Sequence, residues 1–318
     1  MREAAERIRP HIFRTPMVSG EALGLGPLLL KAENLQRTGS FKPRGAFNAV
    51  LQLTADERAR GVITLSAGNH GQALALAARS LGIQCLVVAP QTAPQTKLAA
   101  MRRFGAEIIQ TPSVRLQEAV EREQQARGMR LVHPFADERV IAGQGTVGLE
   151  ILEAVPDLAL VVVPVGGAGL ISGLALAIKS VKPEVRVVGV EPVGAAVVSE
   201  SLRAGRPVVL ERIETVADGL AAPYATALNL AMVRRFVDEV VCLDDADILD
   251  GLRRVVLDAR LVVEPAGAAS VAAIACGRVK VAGSGSTVAV LTGGNLDASR
   301  LAGWLQTKKS PDPTGQGT

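Results

Sequence analysis

The chain is 318 residues long, 48% hydrophobic and only 3% aromatic, and its 35 Lys and Arg against 31 Asp and Glu leave a net charge of +4. That length buries a large core and fits about two domains, while scattered basic residues with no interleaved aromatics argue against a nucleic-acid partner. The longest apolar stretches, such as residues 158–165, are too short to cross a bilayer and Met1-Arg2-Glu3-Ala4-Ala5-Glu6 holds no apolar signal core, so no membrane partner is expected and the cytoplasm is the expected compartment.

Along the chain, short Val/Ile/Leu runs alternate with Ala/Leu/Arg-rich segments of helical period, the pattern of a parallel sheet covered on both faces. Strands are predicted at residues 28–31, 62–65, 85–88, 107–110, 131–133, 160–164, 185–190, 239–243 and 287–291. Helices are predicted between them, among others at 69–81, 96–104, 114–126, 170–180 and 246–261. No repeat of solenoid length is visible. Cys85, Cys242 and Cys276 are widely spaced in apolar segments and read as small buried residues of a reducing compartment, not as disulfides or metal ligands.

Four loops carry the chemistry. Lys42 lies in Ser40-Phe41-Lys42-Pro43-Arg44-Gly45-Ala46; a lysine beside a glycine-relieved turn can hold an aldehyde cofactor as a Schiff base. The predicted strand 62–65 runs into Ser66-Ala67-Gly68-Asn69-His70-Gly71, where helix-start amides can take a carboxylate. Strand 160–164 runs into Gly166-Gly167-Ala168-Gly169-Leu170, a small-residue loop opening a helix, the arrangement that binds phosphate. It is neither the dinucleotide-binding nor the Walker pattern, which disfavours a nucleotide. The last strand ends in Thr292-Gly293-Gly294-Asn295. Each loop alone has a plain reading, respectively a solvated lysine, a helix cap, a tight connection and a strand end. The four in this order are specific.

In that set and order the chain resembles the pyridoxal-phosphate enzymes of the second fold type, in the threonine/serine dehydratase and serine racemase branch, over residues 5–305. The resemblance implies an α/β, two-domain, tryptophan-synthase-β-like architecture with parallel-sheet domains and pyridoxal 5'-phosphate in the cleft between them. Residues 1–37 plus 137–307 would form the large domain and 38–136 a smaller inserted one; the tail 308–318 has no apolar anchor and is expected to be disordered. The resemblance makes Lys42 the residue joined to the cofactor and Phe41 a neighbour of its ring. Asn69 would donate to the phenolic oxygen, Gly166, Gly167, Ala168, Gly169 and Leu170 would hold the phosphate, and Thr292 would face the pyridine nitrogen. The substrate carboxylate would lie among Ser66, Ala67, Asn69 and His70. Burial and the nearby Arg44 are expected to push the Lys42 amine toward its neutral form. A hydroxyl is too weak an acid to protonate the pyridine nitrogen, which favours expulsion of a β-substituent over a long-lived carbanion.

Several positions discriminate among reactions. Racemases of this branch carry a second serine where Ala67 stands, so racemisation is expected to be minor. The family usually has glycine at Ala168, whose methyl would obstruct a left-handed conformation. Some members build a divalent cation site at the positions of Glu191, Ala195 and Val197; valine supplies no oxygen, so no metal is expected. Glu264, before Pro265, reads equally as a cofactor neighbour or a helix start and is not counted as catalytic. Specificity is expected to be set near Phe135 and around residues 223–226. Members with allosteric feedback append a regulatory domain, for which the chain is read as having no room. The expected activity is α,β-elimination from L-threonine and/or L-serine, giving a 2-oxo acid and ammonia, by a homodimer. The alternatives are another reaction on the same fold (3-hydroxyaspartate dehydration, serine racemisation or β-replacement) and, from a different class, a non-catalytic binding protein.

Overall fold

The computed structural model describes residues 1–306, so the expectation for the tail 308–318 lies outside the described residues. Among the described residues ten strands form two sheets: β1 Met17–Ser19, β2 Leu28–Ala32, β3 Val62–Leu65, β4 Cys85–Pro90, β5 Glu107–Thr111, β6 Arg130–Leu131, β7 Leu158–Pro164, β8 Arg186–Pro192, β9 Glu239–Leu243 and β10 Ser286–Leu291. One sheet has six strands in the order β1-β2-β10-β7-β8-β9 and the other four in the order β5-β4-β3-β6.

Alternation along each strand explains why both faces are covered. On β7, Leu160 and Val162 enter a core with Leu30, Val188 and Ala289, covered by the helices Asp245–Leu257 and Pro265–Ala275. Val161 and Val163 enter the opposite core with Val187 and Val290, beneath the helix Gly169–Lys179. In the smaller sheet Val62 and Val87 pack on the helix Asn69–Ser80, and Ile63 and Leu86 on the helix Leu116–Arg127.

Some predicted bounds shift for local reasons. Pairing is parallel throughout except at β1, an edge strand absent from the prediction, which runs antiparallel to β2 through a hairpin closed by Gly20 N donating to Leu28 O at 2.7 Å. The strand predicted at 131–133 is Arg130–Leu131, because Pro134 lacks the donor that a longer ladder needs. Residues Ser113–Arg115 form a 3-10 turn after Pro112, so the helix predicted from 114 starts at Leu116. The helix predicted to 261 stops at Leu257, and Arg260 takes a left-handed φ of 57°. Cys276 is exposed, not buried, since it caps the C-terminus of the helix Pro265–Ala275 ahead of Gly277; all three cysteines are free.

Parallel strands gather their carboxyl ends, and ligands of open α/β sheets bind outside those ends. Here β3, β7 and β10 deliver the turns at 66–69, 165–169 and 292–295. Among the described residues no helix is long and apolar enough to cross a membrane.

Candidate active site

Lys42 immediately precedes the helix Pro43–Val50, whose opening proline has the φ a first helical turn requires. Main-chain bonds pin the segment to the end of β10: Phe41 N donates to Thr292 O at 3.1 Å and Gly294 N to Gly39 O at 2.8 Å. The helix lies hard against Glu138–Gln144, and a Cβ at Gly143 would come within 2.3 Å of the Arg44 carbonyl oxygen. The Lys42 Nζ donates to Pro134 O at 3.2 Å and stands 5.0 Å from the Phe41 ring centroid. Burial lowers its pKa to about 8, against the opposing pull of the Glu264 carboxylate.

Arg44, expected to share in that shift, does not. Its guanidinium turns away into a buried network, 2.7 Å from Glu33 and 2.7 Å from Glu150, with Lys31 2.6 Å from the same Glu150. Two cations and two carboxylates neutralise one another there, which leaves Arg44 no net field to exert on Lys42.

In the turn after β3, Ser66 Oγ accepts from Gly68 N at 3.1 Å and Gly71 N at 2.9 Å, and so orders the entry to the helix Asn69–Ser80. Ala67 is exposed. Asn69 bridges two segments: its Nδ2 donates to Glu264 Oε1 at 2.6 Å and its Oδ1 accepts from Asn295 Nδ2 at 2.9 Å. The His70 ring points inward, with Nε2 3.0 Å from Val132 O. Burial first, then the charge of Lys42, lowers its pKa to about 3, so the ring is neutral as well as buried.

The loop 166–169 leads β7 into the helix Gly169–Lys179, whose first-turn amides have no intrahelical acceptor. A Cβ at Gly167 would stand 2.4 Å from the Phe135 ring, so this wall admits no side chain. Ala168 adopts φ 63°, ψ 11°, the left-handed conformation that its methyl disfavours. The loop therefore keeps its glycine-type shape despite the alanine. At the end of β10, Thr292 is buried and its Oγ1 donates to Ala266 O at 3.3 Å, a long bond that a closer acceptor can displace.

Two groups that the sequence left aside belong to this cluster. Glu264 is 2% exposed, and its pKa rises to about 7 through burial, with Lys97 opposing. Lys97 joins it to the turn: its Nζ lies 2.8 Å from Asp218 and 3.7 Å from Glu264, and its chain packs on Gly68. The signal for Glu264 was a carboxylate set before a proline in an otherwise apolar run; the signal for Lys97 was no more than its place in the loop-proximal half of a helix. Glu191 follows Val190, whose carbonyl accepts from Val165 N at 2.8 Å, but its carboxylate accepts from Val198 N and Ser199 N at 2.8 Å each and so caps a helix.

A cofactor for such a site must be anchored by an anion and react with an amine. The small-residue cradle with free amides suits a phosphate, Lys42 offers the amine, and the strand-end hydroxyl of Thr292 can meet a heterocyclic nitrogen. That donor set is the one a phosphorylated pyridine aldehyde requires, and it defines a vitamin B6-dependent enzyme. Residues 8–293 match the family described as pyridoxal-phosphate dependent enzyme, and the chain belongs to that family. It is 43% identical to an L-threonine ammonia-lyase of Thermotoga maritima, covering 95% of this chain and 76% of the relative. It is 40% identical to a serine racemase of Arabidopsis thaliana over 98% of this chain and 96% of that one. Among solved structures, maize serine racemase superposes with a TM-score of 0.91 at 37% identity, covering 95% of this chain and 94% of that one.

Proposed function

We propose that the protein is a pyridoxal-phosphate-dependent ammonia-lyase that converts L-threonine and/or L-serine into a 2-oxo acid and ammonia. In this reading Lys42 is the attachment and proton-abstracting residue, Phe41 flanks the ring, and residues 166–170 hold the phosphate. Asn69 serves the phenolic oxygen and Thr292 the pyridine nitrogen. Ser66, Ala67, Asn69 and His70 line the seat of the substrate carboxylate, His70 through its backbone. When bound, the cofactor supplies an electron sink that acidifies the substrate α-carbon. The Lys42 amine takes the α-proton, and the ammonium so formed can return it to the departing β-hydroxyl, which leaves as water. The enamine released then hydrolyses to the 2-oxo acid and ammonia. Residues 38–136 act as the smaller lobe, consistent with β3 to β6 pairing only among themselves, and the working unit is a cytoplasmic homodimer.

Ala67 carries the choice of elimination over racemisation. A racemase must return a proton to the opposite face of the α-carbon, and a methyl in that turn has none to give. The relatives named L-threonine ammonia-lyase support the same choice. The test supplies holoenzyme with L-serine and L-threonine and follows ammonia, 2-oxo acid and D-isomer, with borohydride reduction and peptide mapping for the attachment site. Ammonia and 2-oxo acid in equal amounts, little D-isomer and a label on Lys42 are expected. A label on another residue, or D-isomer as the main product, overturns the reading.

A further inference from the structure

Beside Lys42 stands an aromatic wall that the proposed reaction does not yet use. The His133 and Phe135 rings meet edge to face at 4.5 Å, and Tyr224 closes on Phe135 at 5.5 Å. Pro134, between the first two, supplies the carbonyl that accepts from Lys42 Nζ at 3.2 Å. Phe135 in turn fills the space beneath Gly167, and its carbonyl accepts from Asn229 Nδ2 at 3.0 Å. The wall thus spans from the lysine to the phosphate-type loop. All three aromatic side chains remain partly open.

Hydrogen bonding fixes the proton positions on this wall. His133 Nδ1 accepts from Ala136 N at 3.0 Å and from Phe135 N at 3.3 Å. A backbone N–H can only donate, so Nδ1 carries no proton. Burial first, and then the charge of Lys42, lowers the ring's pKa to about 4, so the ring is neutral at pH 7 with its one proton on Nε2. That nitrogen lies 3.0 Å from Tyr224 Oη. Nε2–H is therefore the donor and the tyrosine oxygen the acceptor. The Tyr224 proton is left free to go elsewhere, and among the described residues no protein atom accepts it.

We infer that Tyr224 is a specificity-determining hydrogen-bond donor to the oxygen on the substrate β-carbon, with His133 as its positioning residue. The inference rests on the elimination reading above and assigns it a leaving-group contact. When the β-carbon to oxygen bond breaks, the electron pair goes to oxygen, which leaves as water only after receiving a proton. A fixed donor at that oxygen favours hydroxyl-bearing substrates. A β-chloro substrate needs no such contact, because chloride leaves with the electron pair unaided. Mere aromatic packing, the plainer account of the trio, predicts no such distinction.

The experiment compares kcat/KM of wild-type and Tyr224→Phe holoenzyme on L-serine, L-threonine and β-chloro-L-alanine. Loss of a hydrogen bond to a developing anion is expected to lower the hydroxy substrates about 10- to 100-fold and leave the chloro substrate within about threefold. Equal losses on all three substrates, or no loss on any, overturn the inference. His133→Phe, which keeps the ring stack and removes the Nε2 donor, should show the same selectivity at smaller size; an equal loss on both classes overturns the positioning role. Cofactor absorbance and thermal midpoint establish that each variant is folded and loaded. Wild-type turnover of the hydroxy amino acids tests the reaction assignment separately, and the variant ratio tests Tyr224.

Discussion

Replacing Ala168 by glycine isolates the strain stored in the loop after β7. At φ 63° and ψ 11° an alanine sits in the left-handed region, which costs a residue with a Cβ about 1–2 kcal/mol. The substitution releases that strain. It also removes a buried methyl, 3% exposed, worth about 0.8 kcal/mol, and loosens the unfolded chain by about 0.4–1 kcal/mol. The opposing effects nearly cancel, so Ala168→Gly should change stability by less than about 1 kcal/mol. Ala175 provides the control: it is fully buried within the helix Gly169–Lys179, with no strain to release. There glycine loses the same methyl and about 0.8–1 kcal/mol of helix propensity, for a total cost of about 1.5–2 kcal/mol. Urea unfolding of both variants without cofactor, at equal m-value, measures the difference. Equal destabilisation by the two substitutions would refute the strain argument, as would an Ala168→Gly loss larger than that of the control.

Two further outcomes follow from buried charge. Because only a neutral amine attacks an aldehyde, the rate at which added pyridoxal phosphate attaches to cofactor-free protein should climb about tenfold per pH unit below the Lys42 pKa of about 8 and level off above it, as read from growth of visible absorbance; a rate still climbing steeply through pH 10 would contradict the lowered value. Arg44→Met should cost about 3–5 kcal/mol in urea unfolding, because it leaves Lys31 alone to balance the buried carboxylates of Glu33 and Glu150, while Arg14→Met, whose partner Glu153 is exposed, should cost under about 1 kcal/mol; comparable losses would show that burial does not amplify the network.

Three of the local motifs were legible because each is a strand end followed by residues whose backbone or side chain has one evident use, and the fourth because a lysine stands directly before a proline that opens a helix. Asn69, the 166–170 loop and Thr292 follow strand ends, and Lys42 stands at a helix start tied to the last of them through Phe41 N and Thr292 O. What was not legible depends on partners remote in the chain. Nothing near Arg44 in sequence announces Glu150, 106 residues away, so a cation two places from Lys42 looked like a neighbour when its charge is already neutralised. The sign of φ at Ala168 could not be read from an alanine, because the family's usual glycine tolerates either sign. His70 reads in sequence as a ligand-facing group, but its ring is bonded to Val132 O, 62 residues away. Tyr224, the single tyrosine of an aromatic-poor chain, was a signal available from composition but lacked its partner, His133, 91 residues away.

Two of the joints between the Lys42 segment and the end of the last strand run from amide to carbonyl, Phe41 N to Thr292 O and Gly294 N to Gly39 O, and use no side chain. Such a weld draws on no side chain of Phe41 or Thr292, while Gly39 at φ 69° and Gly294, whose Cβ would stand 2.6 Å from Val262 O, must stay small. The reactive nitrogen can thus stay in register while the lining at 223–226 is rewritten, and a scaffold of this kind can change its preferred reactant without rebuilding the point at which chemistry begins.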